Sequence, residues 1–193
     1  MENTTADRIL ATAHSLMAQL GYAGFSYADI AERIKIRKAS IHHHFPTKAM
    51  LAVAVLRKHR EGLIAGAEAI DQNVEDPQRR LAAYLSYWEG CLEDKSQPFC
   101  VAALLAAELP GLPVEVAAEL ILHFESLRDW IKKTLKAGVK SGRMHVHDNF
   151  DIEANSFMAT VHGALLASRV SGTCGPFREI TSSVMKKLTV SKR

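Results

Sequence analysis

The stretch FSYADIAERIKIRKASIHHHFPTK, residues 25–48, constrains this chain more than any other part of it. Ser26 stands where a helix cap belongs, with Asp29 three residues on in the position that completes a capping box. Tyr27, Ile30, Ala31 and Ile34 then recur at helical spacing, which predicts one short amphipathic helix. A second follows: Ile41 and Phe45 lie one turn apart and face inward. A rotation of about 100° per residue sends Ala39 and His43 outward, with Ser40 and His42 on the flanks. Pro46 stops that helix and Thr47 caps the next. Two short helices joined by a turn, the second with a polar outward face, make a helix-turn-helix over residues 27–46.

Its charges point to the partner. A helix N-terminus disfavours cations, yet Arg37 and Lys38 open the second helix and Lys48 opens the third. If those ends face phosphate, the amides and the cations act on the same anion, and the local cost becomes binding energy. The net charge of +3 divides to match. Residues 1–60 hold nine Lys and Arg against four Asp and Glu, whereas residues 61–193 hold fifteen against seventeen. The basic excess lies with the helix-turn-helix, as binding to double-stranded DNA requires.

The segments GYAGFSYADIA and RKASIHHHFPTK, followed by an apolar helix, resemble the N-terminal DNA-binding domain of the TetR family of transcriptional repressors over roughly the first sixty residues. The resemblance implies a phosphate contact at His42, a semi-buried histidine at His44, a core phenylalanine at Phe45 and a phosphate-binding lysine at Lys48. Three departures stand out: His42, Ala39 and Arg37 replace the family's usual Tyr, Gly and Ser or Thr. The DNA-binding set is then Ser26, Tyr27, Arg37, Lys38, Ala39, Ser40, His42, His43 and Lys48. Small-molecule induction and homodimerisation follow as implications of the resemblance.

Around this stretch the chain reads as all-α. A first helix from Thr4 or Thr5 carries Ile9, Ala13, Leu16, Met17 and Leu20 on one face and ends at Gly21. A fourth, 48–70, presents Met50, Leu51, Val55 and Leu56 and connects a DNA-binding domain, residues 1–50, to a helical ligand-binding and dimerisation domain, residues 70–193. Its Arg57, Lys58 and Arg60 read as solvated. Asp76-Pro77 opens a fifth helix bearing Leu81, Tyr84, Leu85, Trp88 and Leu92. After a polar break at Asp94–Gln97 and Pro98, FCVAALLAAEL forms a short apolar helix stopped by Pro110-Gly111. A long helix from Pro113 to about Lys140 turns Val116, Leu120, Phe124, Leu127 and Ile131 inward. Two more follow, over about 151–171 and 176–190. No run approaches the length of a membrane span, and no leader opens the chain, so a cytoplasmic protein without membrane contact is expected.

Tyr84, Trp88, Cys91, Cys100, Leu104, Phe124, Leu127, Trp130, Phe157 and His162, with Phe99, are the stock for a pocket taking an apolar or aromatic inducer. Ala159, Gly163, Ala167 and Ser171, four apart, give a small-residue strip suited to close helix pairing between two copies. Cys100 opens the apolar helix, where exposed amides lower a thiol's pKa. Its surroundings and the later GALLASRVS with Arg169 resemble electrophile-responsive TetR repressors, which makes thiol sensing an alternative signal. The odd count of Cys91, Cys100 and Cys174 carries no ligand spacing, and the consecutive His42, His43 and His44 point too far apart to close on one ion. His145 and His147 lack a third ligand beyond Asp148. No cofactor, metal or catalytic constellation is expected. A non-sensory architectural DNA-binding protein is the reading from another class, and it leaves over one hundred near-neutral apolar residues without a use.

Overall fold

The computed structural model describes residues 4–94, 99–147 and 149–190. Among these residues the chain is helical, with α1 Thr5–Leu20, α2 Tyr27–Ile34, α3 Lys38–His44, α4 Lys48–Asn73, α5 Pro77–Glu93, α6 Val101–Ala107, α7 Val114–Lys140, α8 Phe150–Ser171 and α9 Gly175–Leu188. The fold is therefore all-α, with an N-terminal helix-turn-helix and a helical C-terminal portion. A 3-10 turn over Leu109–Gly111 follows α6, and one antiparallel bridge joins Met144 and Thr189. Among the described residues no helix is long and apolar enough to cross a membrane. Residues 95–97 of the polar break, Pro98 and Asp148 lie outside the described residues.

Local chemistry explains most boundaries. Thr4 caps α1 by accepting from the Asp7 amide, Asp76 caps α5 from the Gln78 amide with Pro77 behind it, and Asn149 caps α8 from the Ile152 amide. Thr47 Oγ1 accepts from the Met50 amide at 3.1 Å, which starts α4 as expected. Two apolar assignments do not hold. Leu20 is 52% exposed and Met50 51% exposed. Each lies in the terminal turn of its helix, where the stripe runs past the end of the neighbouring surface, and Ala18 and Ala52 fill the buried positions instead. Phe124 and Leu92 are half-buried for a related reason, since His123 and Cys91 take the deeper places beside them.

The chain forms two compact units, each discontinuous in sequence. One comprises residues 1–61 with 99–123, and the other residues 62–98 with 124–193; two of the three boundaries fall inside α4 and α7, and the third between α5 and α6. In the first, Ile9, Leu16, Met17, Ile30, Ile41, Leu51, Leu56 and Leu105 are fully buried. The second is built around Leu81, Trp88, Ile131, Leu135, Phe157, Leu165 and Phe177. There α8 and α9 pack as an antiparallel pair, and the buried Ser168 hydroxyl accepts from the Phe177 amide at 2.9 Å.

Candidate functional site

The helix-turn-helix is assembled from reciprocal side-chain bonds. The Ser26 amide donates to Asp29 Oδ2 at 2.6 Å while Ser26 Oγ accepts from the Ala28 amide at 3.2 Å, which fixes the start of α2. The Ser26 hydroxyl also donates to Asp29, and these bonds hold the Asp29 carboxyl below its usual range. At the other end Lys35 adopts a left-handed conformation, φ 54°, and the Ile36 amide closes on Ala31 O at 3.1 Å. For a residue with a Cβ that turn costs on the order of 1 kcal/mol, offset by the packing it permits between α2 and α3. Tyr27 is buried, its hydroxyl donates to Phe45 O at 2.7 Å, and burial pushes the phenol up to about 12. In this conformation Tyr27 braces the end of α3.

What α3 presents outward matches the expected reading face. Arg37, Lys38, Ala39, His42 and His43 are exposed, Ser40 is half-buried, and Ile41 anchors the opposite side. Arg37 is the N-terminal flanking residue and makes no side-chain cap, so the end amides of α3 have no competing side-chain oxygen there. The His42 ring lies tilted against Tyr27, 4.7 Å between centroids and 57° between planes, with Nδ1 3.4 Å from Pro46 O, and the residue is exposed to solvent. Two residues differ from the implied environment. His44 is exposed and Phe45 half-buried, because Pro46 turns the chain away at once and only Ile41 reaches the core. Lys48 donates to Phe25 O, and its ammonium lies 4.8 Å over Tyr22 and 4.3 Å over Phe25. Burial lowers its pKa, against the pull of Glu108 and Asp29.

Residues well beyond the motif hold this head together. Glu108, at the end of α6, accepts from the Tyr22 amide at 2.9 Å and the Ala23 amide at 3.3 Å, capping the α1–α2 turn. Gly21 makes room for it: φ is 76°, and a Cβ there would sit 1.6 Å from Glu108 Oε1. On α7, Glu119 is only 7% exposed and bridges two arginines of α4, Arg57 at 2.9 Å and Arg60 at 3.3 Å. Burial raises its pKa, but the bonds and charges of those arginines outweigh it and leave the carboxyl below the usual range. Lys58 pairs with Asp7 at 3.1 Å, so all three basic residues of this turn of α4 have protein partners rather than only solvent.

Comparison with known proteins places this arrangement. The family model described as "Bacterial regulatory proteins, tetR family" matches residues 9–55, and that described as "Tetracyclin repressor-like, C-terminal domain" matches residues 77–184. The chain belongs to the TetR family. A solved TetR-family transcriptional regulator from Agrobacterium tumefaciens is 44% identical, with a TM-score of 0.94 over 96% of this chain and 97% of its own. A TetR regulator from Legionella pneumophila is 27% identical, with a TM-score of 0.88 over 97% of this chain and 99% of its own. The HTH-type transcriptional repressor DhaR of Mycobacterium sp. (strain GP1) is 26% identical over 89% of this chain and 85% of its own length. This TetR protein is a DNA-binding transcriptional regulator. Its relatives are regulators, a class that binds operator DNA, typically as homodimers and with small-molecule ligands.

Of the pocket candidates, Tyr84, Trp88, Cys91, Phe124, Leu127, Trp130, Phe157 and His162 fall in the second unit, while Cys100 and Leu104 fall in the first. Tyr84 packs on Trp130 at 5.7 Å, and Phe124 meets His162 edge-on at 5.6 Å. Trp88 Nε1 and His162 Nε2 are buried without a hydrogen-bond partner among the described residues, and burial pushes the His162 imidazole down to about 4. Of the pairing strip, Ala159, Gly163 and Ser171 are exposed and Ala167 half-buried, and a Cβ at Gly163 would meet nothing within 4 Å. Exposed Ile152, Leu166 and Val170 extend the same surface of α8.

Cys100 does not have the lowered pKa that its place at the start of α6 suggested. Burial pushes the thiol up to about 11, and bonds from the Ala103 and Ala102 amides only partly oppose it. Arg169 belongs to α8 in the other unit. His145 and His147 stack edge-on at 4.4 Å. The sequence reading missed Glu108, Glu119, His59 and His123. One signal was available: Glu119 and His123 fall on the inward stripe of α7 with Val116, Leu120 and Leu127, and a polar residue on an apolar stripe asks for a buried partner.

Proposed function

We propose that this regulator is a cytoplasmic, homodimeric repressor that binds a two-fold pair of operator half-sites through α3 and is released by a small apolar or aromatic molecule. In this reading residues 1–50 read DNA, 48–70 connect, and 70–193 bind the inducer and pair the subunits. The observation that carries the inducer is two orphaned buried polar atoms beside aromatic rings, Trp88 Nε1 next to Tyr87 and His162 Nε2 next to Phe124. An indole N–H donor and a neutral imidazole held in apolar surroundings are what an inducer with one acceptor and one polar hydrogen would satisfy. The exposed α8 surface supports the dimer, since helices carrying Ala159 and Gly163 can approach closely around Leu166 and Val170. Thiol sensing by Cys100 is the weaker reading, because a thiol with a pKa near 11 is almost wholly protonated and poorly nucleophilic at neutral pH.

The test is titration of the operator complex with aromatic and apolar compounds, read by fluorescence anisotropy of labelled DNA. Release by a compound that acts on the wild type and acts at least about tenfold more weakly on Trp88→Phe and His162→Phe supports the pocket. Release unaffected by both substitutions removes it, and release by a thiol-reactive electrophile from the wild type but not from Cys100→Ser favours the thiol.

A further inference from the structure

Three side chains remote in sequence meet inside the first unit. His59 comes from α4, Cys100 from the residue before α6, and His123 from α7. Cys100 Sγ and His59 Nε2 are 3.8 Å apart, and one ligand atom from each of the three residues lies within 4.8 Å of the others. The imidazoles of His59 and His123 stack nearly parallel, 4.9 Å between centroids and 22° between planes. Cys100 is 1% and His123 2% exposed, with His59 half-buried. His14 of α1 stands beside them, its ring 5.4 Å from that of His59. Neither the DNA-reading face nor the proposed inducer contacts in the second unit use this cluster.

From this geometry we propose that His59, Cys100 and His123 form a binding site for a borderline-soft divalent cation of the zinc class, held by one thiolate and two imidazoles. A tetrahedral ion with bonds of about 2.3 Å to sulfur and about 2.0 Å to nitrogen separates sulfur from nitrogen by about 3.5 Å and nitrogen from nitrogen by about 3.3 Å. From a largest separation of 4.8 Å the cluster therefore needs a contraction of about 1.5 Å at most, on the scale that side-chain rotation supplies. The donor set itself selects the class: thiolate with imidazole suits zinc, whereas calcium and magnesium require oxygen. Three protein ligands leave the fourth tetrahedral position open to water or an external ligand. On binding, Cys100 gives up its thiol proton to solvent and each histidine coordinates through a neutral nitrogen. No redox step is involved, and one proton leaves per ion bound at neutral pH. The bound ion cross-links α4, the start of α6 and α7. Bringing together three ligands separated by long loops from an unfolded chain makes the binding energy also folding energy.

The experiment is a titration of the reduced full-length protein with cobalt(II) in the absence of DNA, followed by displacement with zinc. We expect one equivalent per chain, with thiolate-to-cobalt charge-transfer absorption and the intense visible bands of tetrahedral cobalt. Cys100→Ser should abolish the charge-transfer band. His59→Gln and His123→Gln should weaken binding by more than the roughly hundredfold that changes in outer-shell partners cost. Affinity should rise with pH, and zinc should raise the thermal midpoint of the wild type but not of Cys100→Ser. Cys174→Ser and the double change of His145 and His147 to Ala should leave the titration unchanged. Circular dichroism checks that each variant is folded, and the half-buried His59→Gln serves if a more buried change unfolds the chain. Absence of stoichiometric cobalt binding, or a charge-transfer band that survives Cys100→Ser, overturns the site.

Discussion

Helices α3 and α8 both turn one side to solvent, and the two sides could hardly differ more. On α3 the outward residues are Lys38, Ala39, His42 and His43, with Arg37 at its start; on α8 they are Ile152, Ala159, Gly163, Leu166 and Val170. A face of cations and hydrogen-bonding edges loses little in water and gains from phosphate and base edges. A face whose Val170 is 83% exposed and whose Leu166 is 54% exposed gains only by being covered, and small residues between them let another helix come near. Exposure is common to both, and side-chain chemistry separates the DNA partner from the protein partner proposed above.

The largest effect should come from the apolar face. Leu166→Glu combined with Val170→Glu adds charges at exposed positions, so the fold should persist while the proposed dimer separates. Sedimentation should then show a monomer, and operator affinity should fall by more than about a hundredfold because only one half-site is engaged at a time. A stable dimer in that variant breaks the comparison. Next in size, Lys38→Ala, Ser40→Ala or His43→Ala should each cost about 1–3 kcal/mol of discrimination and alter which bases are preferred, measurable by binding to a randomised half-site. Smaller again, Lys48→Ala should weaken all sequences alike and reduce the slope of log affinity against log salt by about one. Loss of sequence preference from that change would sink the division between positioning and reading.

The histidines of the two helices sharpen the contrast from the other side. His162 points inward from α8, and burial brings its pKa from 6.5 down to about 4. As pH falls below 6.5 the unfolded chain takes up this proton first, so stability must drop progressively until the folded form also protonates near pH 4. His162→Leu should flatten that part of the thermal-midpoint profile between pH 7 and 4.5. Unchanged pH dependence in the variant would mean that other groups govern it.

The head was legible because its signals are local. Ser26 and Asp29 three apart, the stripe Tyr27–Ile34 and the stop at Pro46 each act within a turn of helix, and the structure places each in its expected role. Exposure at the ends was harder to read. Leu20 and Met50 keep the helical period but run beyond the neighbour that would bury them, which a periodicity cannot foresee. Long-range contacts were harder still. Glu108 with the α1–α2 turn and Glu119 with Arg57 and Arg60 join residues more than fifty positions apart, and no spacing rule spans that distance. The pKa of Cys100 turned on a contest: the amides beside it favour thiolate, and burial, which depends on the packed fold, prevails.

The Gly21–Glu108 contact has a consequence for how this protein can vary by inheritance. Any residue with a side chain at 21 enters the space of the carboxylate that holds the Tyr22 and Ala23 amides, and it does so at a backbone angle that L-residues rarely adopt. Shortening residue 108 would open the space and strand those amides. The two positions, eighty-seven apart in the chain, are thus locked as a pair: single changes at either are penalised, and lineages that drift here must pass through both together.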